Sequence, residues 1–244
     1  MNEKLLILHG WGSNSERWQK VKELLEEKGI EVFTLDLPGF GRVPSPPEIW
    51  GRPEYINWIF QKVQEKKWEK FNLLGHSFGG GLAVKMAANP ALFQKGERIE
   101  KLILCAPAII RRRNIKSYLF YWLAFLGKKI FSLPGFKKFS PLAKKLIYKL
   151  AGTKDYYVAD GIMKEVMKKI WEEEDLLLSL DKIKIPTLIL WGEKDDVLPL
   201  KDAYKIKEKI RNSELKIIQK AKHSPHRETP NQLAEIIIDF LQWK

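Results

Sequence analysis

An α/β class fold, a mainly parallel sheet covered by helices on both faces, is predicted for this 244-residue chain by three observations. Apolar runs alternate with amphipathic stretches from end to end, which is the pattern of successive strand–helix units. The segments that carry chemistry all fall at the ends of apolar runs, where open parallel sheets place their sites. A length of 244 residues and 45% hydrophobic content suffice for one compact domain with a sizeable core.

The elements are justified in chain order. Leu5 to Leu8 is a first strand, ending in His9-Gly10-Trp11-Gly12, and an amphipathic helix follows near 15–28. A second strand is expected near 32–36 and a helix near 53–66. Phe71 to Leu74 is a short buried strand within 71–75. Beyond it Leu82, Ala83, Met86 and Ala87 recur at helical spacing over 78–89, until Pro90 follows the stop. A strand near 102–105 leads into Ala106-Pro107. Thr187 to Leu190 opens a strand over 187–191, and helix 201–211 follows. The last strand, 215–219, precedes Ala221-Lys222-His223. A final helix over 231–242 is announced by Thr229, Pro230 and Gln232, a capping box with proline at the first helical position.

Leu73-Leu74-Gly75-His76-Ser77-Phe78-Gly79-Gly80 runs a strand through a G-x-S-x-G turn into a helix, the setting of a nucleophile elbow. Side chains at Gly75 or Gly79 would collide with backbone that doubles back there. The motif alone is weak. Two further segments, Trp191-Gly192-Glu193-Lys194-Asp195 and Ala221-Lys222-His223, supply a carboxylate and an imidazole at other strand ends. A serine hydroxyl needs an adjacent base to remove its proton during attack, histidine can accept and return that proton near neutral pH, and a carboxylate fixes the histidine tautomer.

With these motifs in the order Ser77, Asp195, His223, the chain resembles an α/β-hydrolase-fold serine hydrolase over nearly its whole length. The resemblance implies that fold, with Ser77 as nucleophile, His223 as general base and acid, and Asp195 as the orienting carboxylate. It also implies oxyanion-hole N–H groups from Trp11 and Phe78, and neither metal nor cofactor. Asp195 is preferred over Asp196 by the G-x-x-D register from Gly192. His223 is preferred over His226 by the form H-x-x-H-x-E-x-P, which leaves His226 as a loop histidine near the rim. His9 and His76 are expected to bond to backbone. The preceding strand end, Leu104-Cys105-Ala106-Pro107, offers no alternative acid. Relatives that act as haloalkane dehalogenases or epoxide hydrolases carry aspartate where Ser77 stands, which disfavours those activities.

The interval from Pro107 to Ile185 is too long for a simple crossover. By the resemblance it is a helical cap: residues 1–106 and 185–244 form the hydrolase core and 107–184 the inserted lid. Residues 107–170 carry 15 Lys or Arg against 3 Asp or Glu, so nearly all of the net charge of +13 sits there. Twelve of the 28 aromatic residues lie between Tyr118 and Trp171, which predicts an aromatic face over Ser77 and a basic face toward water. That basic face is read as a solvated lysine surface or as a source of weak attraction to an anionic membrane surface or acidic substrate, through the amphipathic stretch Ser117 to Phe131. Arg111-Arg112-Arg113 is a lone cluster with no nucleic-acid module beside it, so no nucleic-acid partner is expected. Gly127, Gly135 and Gly152 are read as helix ends or hinges.

The first strand starts almost at once, so no signal peptide is expected, and the longest apolar stretch, Tyr118 to Leu126, is about half of what a membrane span needs. Cys105 is the only cysteine, which excludes an internal disulfide and makes a cytoplasmic location the expectation. Its place at a strand end reads as packing. The expected activity is cleavage of a small or medium carboxylic ester. The same triad also serves C–C bond hydrolysis, lactone opening, perhydrolysis and acyl transfer, and a ligand-binding protein with little turnover is the reading from another class.

Overall fold

The computed structural model describes residues 3–93, 97–110, 161–173 and 175–242. The described residues hold six strands, β1 (Lys4–Leu8), β2 (Glu31–Leu35), β3 (Lys70–His76), β4 (Arg98–Cys105), β5 (Thr187–Gly192) and β6 (Ser213–Ile218). They form one sheet in the order β2-β1-β3-β4-β5-β6, and every neighbouring pair is parallel. The helices among the described residues are α1 (Gln19–Glu26), α2 (Arg52–Glu65), α3 (Phe78–Ala87), α4 (Ile162–Glu172), α5 (Lys201–Lys209), α6 (Pro225–Glu228) and α7 (Pro230–Gln242).

The period-2 alternation of side chains divides the core into two layers. Leu6, Leu8, Leu73, Leu102, Leu104, Ile189 and Trp191 point to the face covered by α2, α3, α4 and α5. Leu5, Ile7, Leu74, Ile103, Cys105, Leu188 and Leu190 point to the other face, against Val21 and Leu25 of α1 and Leu233, Ile237 and Phe240 of α7. The C-terminal halves of the inner strands are therefore buried on both faces, whereas the edge strands β2 and β6 keep exposed residues, Glu31 in β2 and Glu214, Lys216 and Ile217 in β6. Cys105 is fully buried in the second layer.

Boundaries differ from expectation where local chemistry hides them. β4 begins at Arg98 because Arg98 and Glu100 are exposed while Ile99 turns inward, a polar alternation that masks strand. The helix expected from residue 15 opens as a 3₁₀ turn, Ser15–Trp18, with the Asn14 side chain accepting the Arg17 N–H at 3.2 Å. The Thr229 capping box is not what joins α6 to α7. Thr229 Oγ1 donates to the Pro225 carbonyl at 3.4 Å, so its hydroxyl closes the preceding turn. A carboxylate does fold back at the start of α2, where Glu54 Oε2 accepts the Gly51 N–H at 2.6 Å.

Most of the interval 107–184, including Arg111–Arg113, Ser117 to Phe131 and Gly127, Gly135 and Gly152, lies outside the described residues. Its described C-terminal part packs directly on the core. Met163, Val166 and Ile170 of α4, with Leu176 and Leu180 of a 3₁₀ segment, join the layer over α2 and α3. Glu173 accepts both the backbone N–H (2.8 Å) and the guanidinium (2.9 Å) of Arg52, tying α4 to the start of α2. No helix among the described residues is long and apolar enough to cross a membrane.

Candidate active site

β3 turns into α3 across Ser77, and only glycine fits beside the turn. A Cβ on Gly75 would meet the Ala83 Cβ at 2.7 Å, and one on Gly79 would meet the His9 carbonyl oxygen at 2.7 Å. Ser77 has φ 50° and ψ −113°, a conformation that costs a non-glycine residue roughly 1–3 kcal/mol. It is held from several sides. The Ser77 N–H donates to the Cys105 carbonyl at 3.1 Å, and the Ser77 carbonyl accepts from Gly81 at 3.2 Å and Ala108 at 2.9 Å. The strain is therefore imposed by β4 and the loop after it, and the serine side chain stays partly exposed at the head of the sheet.

Asp195 and His223 come together from the ends of β5 and β6. His223 Nδ1 donates to Asp195 Oδ2 at 2.9 Å, while Asp195 Oδ1 accepts the N–H groups of Val197 (2.9 Å) and Leu198 (2.8 Å). The carboxylate is wholly shielded from solvent. Burial alone would push its pKa up, but the bond from His223, its charge, and the two backbone N–H groups outweigh that and hold it below the usual carboxylate range. Gly192 lets the two loops approach, since a Cβ there would lie 2.6 Å from the Ala221 carbonyl oxygen. Asp196 points away, into an exposed ion pair with Lys222 at 3.6 Å.

The other histidines serve the framework. His9 Nε2 accepts the Leu37 N–H at 3.0 Å, which places the proton on Nδ1, donated to the Gly10 carbonyl at 2.8 Å. His76 Nε2 donates to the main-chain carbonyl of His223 at 2.8 Å. His226 is not at the rim: it is 3% exposed, stacked on Trp18 with centroids 4.4 Å apart and 5° between planes. A polar residue is buried there because an indole face covers it, which sequence position could not reveal. Burial pushes His76 down to about 3 and His226 to about 2, so both are neutral at physiological pH.

Trp11 and Phe78 stand side by side, their rings 5.4 Å apart, on the loop after β1 and at the first residue of α3. The Gly79 N–H donates to the His9 carbonyl at 3.2 Å and locks the two segments together. Gly10 is a further close-contact position, which its local sequence does not mark: a Cβ there would lie 2.9 Å from His76 Nδ1 and 3.1 Å from Ser77 Cβ. A surface cavity of about 470 Å³ at the β2 edge, lined by Asp36, Arg42, Trp58 and Lys62 among others, includes none of Ser77, Asp195 or His223. Among the described residues no group of three His, Cys, Asp or Glu side chains is arranged to hold a metal.

The profile of the family described as serine aminopeptidase, S33, matches residues 1–230. The chain belongs to this family of α/β hydrolases. The hydrolase is 27% identical to the AB hydrolase superfamily protein YisY of Bacillus subtilis, over 97% of its own length and 90% of that protein's. It is 26% identical to the human monoacylglycerol lipase ABHD6, over 97% of its own length and 74% of that protein's. In fold it resembles an esterase from Exiguobacterium antarcticum, with a TM-score of 0.73 at 24% identity, covering 99% of this chain and 92% of that one. A bromoperoxidase from Bacillus anthracis superposes with a TM-score of 0.74 at 20% identity, covering 100% and 93%.

Proposed function

We propose that this α/β hydrolase cleaves small to medium carboxylic esters through an acyl-enzyme formed on Ser77. The observation that carries the reading is the 2.9 Å bond between Asp195 and His223 Nδ1, because it leaves Nε2 as the nitrogen able to exchange a proton with a serine hydroxyl. Ser77 Oγ attacks the carbonyl carbon while His223 Nε2 takes its proton. The tetrahedral oxyanion is received by the N–H groups of Trp11 and Phe78, worth roughly 3–4 kcal/mol for each donor, with help from the positive end of α3. The imidazolium then protonates the departing alkoxide, and the acyl group remains on Ser77. Water repeats the sequence, giving up a proton to His223 as it attacks, and the carboxylic acid leaves as Ser77 regains its proton.

The ester class is supported by the monoacylglycerol lipase among its relatives. The aminopeptidase description of the family supports a second reading, hydrolysis of an aminoacyl amide by the same groups. Residues 107–184 would cap the cleft and set acyl length. The buried single cysteine suits a reducing, cytoplasmic compartment.

A fluorophosphonate probe and p-nitrophenyl butyrate test the mechanism, with an aminoacyl p-nitroanilide as the amide counterpart. Labelling and ester turnover should both vanish in Ser77→Ala while the circular dichroism spectrum is retained. Turnover undiminished in that variant would remove Ser77 as nucleophile. Faster cleavage of the anilide than of the ester would favour the second reading.

A further inference from the structure

The imidazole that directly precedes Ser77 holds the residue expected to activate it. His76 is 4% exposed, its Nε2–H donates to the His223 carbonyl at 2.8 Å, and its ring lies 5.1 Å from the His223 ring. A carbonyl can only accept, so the proton must sit on Nε2. The rest of the ring is boxed in: His226 packs against it edge-on at 4.9 Å, Trp18 lies 6.0 Å away, and Gly10 leaves no room for a Cβ beside Nδ1. Trp18 and His226 stack on each other, so the wall behind His76 is itself braced.

His223 is therefore held twice. Asp195 orients its ring and His76 anchors its main chain. Because His76 is bonded covalently to Ser77, and Ser77 is locked to Cys105, Gly81 and Ala108, one dipeptide carries the serine and grips the backbone of the histidine. We propose that His76 is a positioning residue of the hydrolytic reaction, setting the separation of Ser77 and His223 through its bond to the His223 carbonyl. The role rests on the ester-hydrolase reading above. It uses a neutral imidazole only, in keeping with a pKa pushed down to about 3 by burial and by the neighbouring His223.

The test compares wild type, His76→Leu, which removes the donor, and His76→Gln, whose amide nitrogen can reach the place of Nε2. The measurements are the rate of fluorophosphonate labelling at Ser77 and kcat and KM for p-nitrophenyl butyrate. His76→Leu should lower labelling and kcat by roughly tenfold to a hundredfold, the scale of a misplacement near 1 Å, with KM changed less than about twofold. His76→Gln should recover most of the loss. Equal rates in His76→Leu and wild type, or a glutamine variant as slow as the leucine one, would overturn the role. If His76→Leu does not fold, His76→Gln and long-range ¹H–¹⁵N spectra of the wild type decide. The spectra should show His76 neutral with the proton on Nε2 at pH 7, and a proton on Nδ1 instead would exclude the bond. A wild type that the probe does not label at Ser77 would refute the ester-hydrolase reading itself, and this role with it; normal wild-type labelling with unaffected variants refutes only the role.

Discussion

At the scale of single residues, the contrast between adjacent acids is the sharpest. Asp195 has a shielded carboxylate with three donors, while Asp196 has an exposed one facing Lys222. Surface pairs of that kind contribute little, whereas a carboxylate that fixes the tautomer of a base is needed in every turnover. On the proposed mechanism, Asp195→Asn should lower kcat by about 10⁴, the loss that follows removal of a triad carboxylate. Asp196→Asn should leave kcat within about twofold. Steady-state kinetics on p-nitrophenyl butyrate, with thermal melts to verify folding, would check the pair. Equal losses in the two variants would argue against a special role for Asp195.

At the scale of elements, the elbow depends on backbone meeting backbone. α3 starts so close to the end of β1 that the Gly79 N–H reaches the His9 carbonyl, leaving no volume for a side chain. Neither partner is the flexible end of a side chain, so the strand and helix must separate if a Cβ is added. Gly79→Ala should cost about 1–3 kcal/mol of stability, as overpacking does, and should slow labelling of Ser77 because the Phe78 N–H moves with the helix. Urea denaturation and probe labelling would measure both effects. A variant as stable and reactive as wild type would show that α3 and β1 can separate without cost, against a tight 3.2 Å contact between Gly79 and His9.

At the scale of the whole molecule, the buried histidines make stability depend on pH. In the folded state the pKa of His76 is pushed down to about 3, by burial and then by His223, and that of His226 to about 2, by burial and then by His76 and Arg227. The unfolded chain protonates them near their ordinary pKa of about 6.5. Their folded values are depressed, so the stability at stake is fully present above about pH 6.5 and is lost as pH falls. The slope is about 1.4 kcal/mol per pH unit for each histidine. Asp195, also held low, has the same sign but acts only below the ordinary carboxylate range. Urea midpoints between pH 7.5 and pH 5.0 should thus fall steeply. His226→Phe keeps an aromatic ring against Trp18 and removes one proton site, so its slope should be shallower by about one proton. An unchanged slope would show that His226 takes up no proton on unfolding.

Much of this molecule is legible in one dimension, for a physical reason. Alternation of apolar runs with amphipathic stretches determined the parallel α/β sheet, because a strand covered on both faces must be apolar throughout, and the six strands fall within a few residues of where the runs lie. Glycine spacing around Ser77 determined the elbow, since only a residue without a Cβ tolerates such contact. The start of β4 was hidden by charged residues on its exposed side, and the first turn of the helix expected from Ser15 by its 3₁₀ geometry. What only the tertiary structure decided is which polar groups meet. Trp18 buries His226, Arg52 binds Glu173 across 121 positions, and His76 grips the carbonyl of a residue 147 positions away. Hydrophobic patterning is a property of each segment against solvent and can be read locally, whereas a hydrogen bond needs two partners whose distance is set by how the layers pack.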